Sequence, residues 1–298
     1  MSTSLSDNTR GALLMTASMA GFTFNDVFMK AASDEVPLMQ ALFLRGVVTT
    51  LLIFAMAVAL RQLRFDLPRR DWGLIALRTV SEVVAAYFFL TALFNMPIAN
   101  VTAILQALPL TVTLAGALLL GEAVGWRRMA AILIGFVGVM LIVRPGPDGF
   151  NTYALYALLA VAAVTMRDVF TRKLTRDVPS LTVALVGAAA IGLLGLVGTL
   201  TQPWAPMSTL AYAQLFAAAL CIIVGYLASV MVMRVGDIGF IAPFRYTGLI
   251  WALILGLIVF GEWPDWLTLL GAAIIVATGI FTYWRERQLA LKIRRTSA

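Results

Sequence analysis

The chain has 298 residues, of which 61% are hydrophobic and only 12% charged, with a mean hydropathy of +0.93. That leaves too little polar surface to clothe a water-soluble globule, so the chain reads as an integral membrane protein. Its net charge of +7 lies in short breaks between apolar runs rather than in one stripe, which points to membrane topology and away from nucleic acid. Histidine is absent and the single cysteine, Cys221, lies inside an apolar run. An intramolecular disulfide, cysteine-rich metal sites, zinc-protease motifs and serine–histidine triads are thereby excluded.

The first apolar run, Gly11 to Met29, follows Arg10 directly and is long enough to cross a hydrocarbon core of ~30 Å at ~1.5 Å per residue. Lys30 and the turn Ser33-Asp34-Glu35 follow it instead of a small-residue cleavage site, so an uncleaved helix is expected rather than a signal peptide. Leu38 to Leu60, Trp72 to Phe94, Ile98 to Leu120 and Trp126 to Val143 make five crossings. Five more are Thr152 to Thr171, Ser180 to Leu200, Thr209 to Met233, Ile238 to Phe260 and Trp266 to Trp284. Breaks fall at Pro68, Pro97, Pro145-Gly146-Pro147, Pro179, Pro203, Pro206 and Pro264.

Loops that stay in the cytoplasm are enriched in Lys and Arg. Sixteen of the 22 basic residues alternate onto one side: Arg10; Arg61, Arg64, Arg69 and Arg70; Arg127 and Arg128; Arg172, Lys173 and Arg176; Arg234; and Arg285, Arg287, Lys292, Arg294 and Arg295. Only Lys30 and Arg144 fall on the other, and Arg45, Arg78, Arg167 and Arg245 lie inside the runs. Both termini are therefore expected in the cytoplasm.

Leu118 to Trp126 (LLLGEAVGW) returns 140 residues later as Ile258 to Trp266 (IVFGEWPDW), with Gly121-Glu122 falling on Gly261-Glu262 and Gln106 on Tyr246. Asp26-Val27-Phe28 falls on Asp168-Val169-Phe170 at an offset of 142. The chain is one unit written twice, residues 1–147 and 148–298. Five crossings per unit is an odd number, so the second copy is expected to enter the membrane inverted. Inverted repeats frame a site near mid-membrane that opens alternately to either side. The expected fold is all-α, with ten transmembrane helices in two inverted five-helix repeats.

On Gln106-Ala107-Leu108-Pro109-Leu110, the run to Gly121-Glu122, the glycine-rich helix with Gly135 and Gly138, and the second Gly261-Glu262, the chain resembles the drug/metabolite transporter superfamily. The likeness covers nearly the whole chain and is greatest toward bacterial inner-membrane exporters of aromatic amino acids. It implies a multi-pass protein of the bacterial inner (plasma) membrane, a small-molecule substrate such as an amino acid, and no enzymatic activity. Leu249 stands where the second copy of Pro109 is due, and Pro243 comes six residues earlier, so a bend in the ninth crossing is expected elsewhere.

Candidate substrate-binding residues are Glu82, Gln106, Tyr226, Arg245, Tyr246 and Trp251. Glu82 is a carboxylate at the centre of the third crossing, where a charge is costly and commonly functional. It either partners Arg78, four residues away on the same face, or Arg45, or it meets a substrate ammonium or a proton. Arg245 has no carboxylate within a helical turn, so it takes a substrate carboxylate, snorkels, or ties to carbonyls freed by Pro243. Arg167 and Asp168 are adjacent and point ~100° apart, which argues against a mutual pair. Gln106, Tyr226, Tyr246 and Trp251, with Tyr87, supply uncharged donors and flat apolar faces, or else simply pack. Gly187, Gly192, Gly195 and Gly198 read as packing notches.

These residues suit export of amino acids, aromatic ones included, by a secondary transporter. A different small metabolite or a cationic drug is the alternative, and a membrane-embedded enzyme a remote one, since no nucleophile or metal cluster stands at membrane depth. No ATP-binding motif occurs. The expected partners are the substrate and the lipid bilayer, without nucleic acid, cofactor or metal, and a homo-oligomer is left open.

Overall fold

The computed structural model describes residues 7–122, 124–144, 151–175, 177–202, 204–232, 235 and 238–296. Arg176, Pro203, Arg234 and Pro145-Gly146-Pro147 lie outside the described residues, as do the 147/148 repeat boundary and the side chains of Arg287, Lys292, Arg294 and Arg295. Every regular element among the described residues is helical, and ten helices are long and apolar enough to cross a membrane. Large apolar side chains cover their outer faces, Leu51 at 63% and Ile258 at 72% exposure among them, as a lipid solvent permits and water does not.

The first three helices are α1 (Asp7–Ala32), α2 (Leu38–Ala59) and α3 (Arg69–Asn95). The fourth crossing, expected as one helix, is two: α4 (Ile98–Leu105) and α5 (Leu108–Leu120). Pro109 causes the break, because it cannot donate to the Leu105 carbonyl and its ring collides with it, whereas at the second position of a new helix it is tolerated. Then come α6 (Trp126–Val143), α7 (Thr152–Lys173), α8 (Ser180–Thr199) and α9 (Thr209–Val232). The ninth crossing is also interrupted, as α10 (Ile238–Ile241), a 3₁₀ turn (Ala242–Tyr246) holding Pro243, and α11 (Thr247–Phe260). The last helix, α12 (Trp266–Thr296), runs on past Trp284.

The second bend does fall elsewhere, as the position of Pro243 implied: the 3₁₀ turn starts at Ala242, the repeat mate of Thr102, ahead of the gap between α4 and α5. The 3₁₀ turn carries irregular backbone forward to Tyr246, the repeat mate of Gln106, which itself lies in the gap between α4 and α5. One proline breaks its helix just ahead of itself, and the other lies in a tighter winding that begins earlier in the repeat and meets the first break only at its last residue.

Local chemistry sets the helix ends. Pro37, Pro68, Pro97 and Pro179 immediately precede α2, α3, α4 and α8, where the missing N–H costs nothing, and each carbonyl accepts the amide four residues on. Gly121 (φ 69°) and Gly261 (φ 66°) end α5 and α11 in the left-handed conformation. The next amide turns back onto the helix, Glu122 to the Gly116 carbonyl at 3.1 Å and Glu262 to that of Gly256 at 2.9 Å. The twice-written Gly-Glu is thus twice the same C-terminal cap. Glu262 does more, its carboxylate accepting the Ile98 amide at 3.1 Å and so capping α4.

The described chain forms two compact units, each drawn from both sequence halves. One comprises Met1–Thr23, Pro97–Thr152 and Val224–Ala298, the other Phe24–Met96 and Tyr153–Ile223. In the first, α6 crosses α12 so closely that a Cβ at Gly138 would lie 2.7 Å from the Gly271 carbonyl oxygen. Arg144 pairs there with Asp265, which also accepts the Thr268 amide at 2.9 Å at the start of α12. Burial works against the Asp265 charge, but the Thr268 amide and Arg144 outweigh it and hold the carboxyl below its ordinary 3.8.

In the second unit α2 packs on α8, where a Cβ at Gly46 would sit 2.5 Å from the Gly192 Cα and one at Gly195 would lie 2.8 Å from the Met39 carbonyl oxygen. The expected packing notches are notches. Gln40, only 1% exposed, clasps both polar groups of Ala205, accepting its amide at 2.9 Å and donating to its carbonyl at 3.0 Å. Gly195→Ala is expected to cost about 1–3 kcal/mol through overpacking against backbone that cannot yield. A lowered unfolding midpoint in detergent checks it.

Candidate functional site

Five of the six candidate residues, Gln106, Tyr226, Arg245, Tyr246 and Trp251, belong to the first unit. The turn Ser18 to Thr23 of α1 ties together the helices that carry Tyr226 and Trp251. Ser18, fully buried, donates to the Gly225 carbonyl at 2.8 Å, beside Tyr226 on α9. Met19 and Thr23 lie against Gly248 on α11, and the Gln106 amide nitrogen is 3.8 Å from where a Gly248 Cβ would stand. At Gly225 the approach is tight, Phe22 standing 3.0 Å from where a Cβ would be, whereas at Gly248 the contacts are of ordinary van der Waals length. Gln106 is 9% exposed, so an amide with four hydrogen-bonding positions sits in an apolar wall at a break between two helices.

Tyr246 is 5% exposed and its hydroxyl has no hydrogen-bond partner among the described residues. The ring closes on Gly279 of α12, where only a glycine leaves room for it. Arg245, next to it in the 3₁₀ turn, is half-buried and has no hydrogen-bond or ion-pair partner among the described residues. A cation and a buried hydroxyl, both unspent, thus flank an interrupted helix. Phe240 and Phe244 stack just before them, with ring centroids 5.9 Å apart. Tyr226 and Trp251 are half-buried.

Glu82 is not with the other five. It belongs to the second unit, where it accepts from Arg78 at 2.6 Å and faces Arg167 at 3.8 Å. Gly187 of α8 makes room for the carboxylate, which rests where a Cβ would be. Arg78 also donates to the Thr171 hydroxyl at 3.2 Å. Arg45 serves elsewhere, donating at 3.1 Å to Asn25, whose amide in turn donates to Asp26 at 2.9 Å. The reading of Arg167 and Asp168 as unpaired is corrected: Arg167 bonds Asp168 at 2.8 Å and 3.0 Å. Neighbouring Cα–Cβ vectors diverge, but a long guanidinium stem bends back across that angle. Asp71, fully buried, accepts the Thr175 amide and hydroxyl at 3.3 Å and 2.9 Å.

Ser18, Thr23 and Asn25 were missed in the sequence. Thr23 also bonds its own helix at the Met19 carbonyl, 2.9 Å away, so a small hydroxyl in an apolar run carries no outward sign of a partner. Asn25 stands beside Asp26, the first residue of the repeated Asp-Val-Phe, and a neutral amide inside a membrane run was signal enough.

Apolar helices, two of them interrupted at neighbouring positions of the repeat, with polar groups gathered at the interruptions, define a multi-pass membrane protein of the solute-carrying kind. The chain belongs to the EamA-like transporter family, whose model matches residues 9–144 and 151–284. It is 30% identical to the riboflavin transporter of Vibrio cholerae over 94% of this chain and 97% of that one. It is 26% identical to the pseudopaline exporter CntI of Pseudomonas aeruginosa over 90% and 94%. To the S-adenosylmethionine uptake transporter of Rickettsia conorii it is 27% identical over 64% of this chain, spanning 65% of that protein's length. The chain is a membrane transporter of a small metabolite, not an enzyme.

Proposed function

We propose that the chain exports amino acids, aromatic ones included, by alternating access between inverted repeats 1–147 and 148–298, with both termini in the cytoplasm. The observation that carries this reading is Arg245, a half-buried guanidinium without a partner among the described residues, one residue from a buried tyrosine hydroxyl equally unspent. A planar fork of five donors suits a carboxylate, and a cation left unsatisfied at that depth is costly. Gln106 supplies a second polar contact, and Tyr226, Tyr246 and Trp251 the flat faces for a side chain.

The test is flux in proteoliposomes holding the purified chain, with a panel of amino acids and with each direction of gradient imposed. Outward-directed flux of phenylalanine, tyrosine or tryptophan is expected. Flux of none of the amino acids sinks the reading. A larger heteroaromatic metabolite is the second reading, favoured by relatives named for riboflavin and S-adenosylmethionine. It wins if these compounds, added to the same panel, are carried and free amino acids are not.

The inverted topology has its own test. Glu122→Cys and Trp263→Cys, each in a Cys221→Ala background, are expected to react with an impermeant maleimide from opposite faces. Trp263 stands in for its neighbour Glu262, whose bond to Ile98 is thereby spared, and it is 59% exposed. Reaction of both from one face ends the inverted-repeat proposal.

A further inference from the structure

On the outer side of the first unit, α6 and α12 flank an open apolar groove of about 480 Å³, comparable in volume with the ~300–1,000 Å³ of small-molecule sites. Ala130, Ile134, Ala277 and Phe281 wall it, and Trp126 and Arg127 stand at one end. The hydroxyl at its side, that of Thr278, is spent on the carbonyls of Ile274 and Ile275 at 2.8 Å and 3.0 Å. The walls therefore offer a ligand little but hydrocarbon, and all its polar recognition must come from the Arg127 end.

That end wants an anion. α6 begins there on Gly125, with no side-chain cap and no acidic residue in its first turn. Arg127 and Arg128 occupy that turn instead, where the helix dipole and the free amides already carry positive charge. The Arg127 guanidinium lies 5.3 Å from the centroid of the Trp126 ring, and Trp126 is 76% exposed. A cation held over an exposed indole at the mouth of an apolar cleft is an amphipathic receptor: a flat apolar face below and a charge above.

We propose that this cleft holds one acyl chain of an anionic glycerophospholipid, with its phosphate seated at Arg127 and the uncapped start of α6. The length of the apolar wall excludes a free phosphate as the natural occupant, and the cation excludes a preference for a zwitterionic headgroup. On the orientation proposed above, Arg127 faces the cytoplasmic leaflet, where anionic lipids and polybasic loops meet. The lipid would hold α6 against α12, the close glycine-to-glycine crossing of the first unit.

The full chain in nanodiscs of zwitterionic lipid is titrated with dibromo-phosphatidylglycerol or dibromo-phosphatidylcholine, and tryptophan quenching is read against a Trp126→Phe variant, which isolates the Trp126 component. Phosphatidylglycerol is expected to quench that component at about fivefold lower mole fraction than phosphatidylcholine. Arg127→Gln should remove this preference, and Ala277→Phe, which fills the cleft from an exposed position, should abolish the saturable quenching. Inorganic phosphate in excess should leave the preference intact. Equal quenching by both lipids in the parent chain overturns the proposal, as does loss of the preference on adding phosphate, which would show an anion site without a lipid. Neither outcome touches the amino-acid reading, which is decided by flux.

Discussion

Arg245→Ala is expected to lower amino-acid flux in proteoliposomes by about 10- to 100-fold, the loss of a charge-assisted hydrogen-bonded contact worth about 1.5–3 kcal/mol. Arg245→Lys keeps the charge but loses the fork and should retain part of the flux, with a raised half-saturation concentration. Amino-acid amides should be carried poorly by the parent chain for the same reason. Folding is expected to survive both substitutions, because among the described residues the guanidinium leaves no hydrogen-bond or ion-pair partner behind. The chemistry behind these outcomes is local: Pro243 frees backbone at the 3₁₀ turn, and Arg245 and Tyr246 bring unspent donors to it. If Arg245→Ala transports normally and an amide is carried as well as its acid, the arginine is structural and the substrate site is to be sought around Gln106 and Tyr226.

Much of this architecture was legible because membrane crossings obey coarse rules of length and charge, and because Gly121-Glu122 and Gly261-Glu262 repeat a cap whose left-handed geometry glycine adopts without strain. The interruptions were half-legible. Pro109 announced one and Pro243 the other, but not that the second would be a 3₁₀ winding that ends where Tyr246 packs on Gly279, a residue far away in sequence. Which charges pair was the least legible. Arg78 and Glu82 follow from helical spacing, yet Arg167 joins them from another helix, and Arg45, the other expected partner, goes to Asn25 instead. Periodicity gives neighbours along one helix, whereas neighbours across helices depend on where glycines such as Gly187 allow approach.

That dependence gives Glu82 its expected behaviour. With side-chain exposures of 12%, 21% and 28% for Arg78, Glu82 and Arg167, the three charges are mostly buried. Removing the carboxylate, as in Glu82→Ala, is expected to cost about 3–5 kcal/mol, because the mostly buried Arg78 loses its carboxylate while Arg167 keeps Asp168. Gly187→Ala should be destabilising in the same direction, since its methyl group claims the space of the carboxylate. Replacing both ends of the closest pair, Arg78→Met with Glu82→Leu, leaves Arg167 to Asp168 and should be less damaging than Glu82→Ala alone. Unfolding midpoints of the parent, both singles and the double give the coupling energy, and flux against pH gives the role. A double variant that folds and carries substrate with the parent's pH profile identifies the cluster as a strut between α3 and α7, which is the result expected from a carboxylate engaged by two arginines. A double variant that folds yet has lost either its flux or its response to pH would put Glu82 back among the groups that meet substrate or proton.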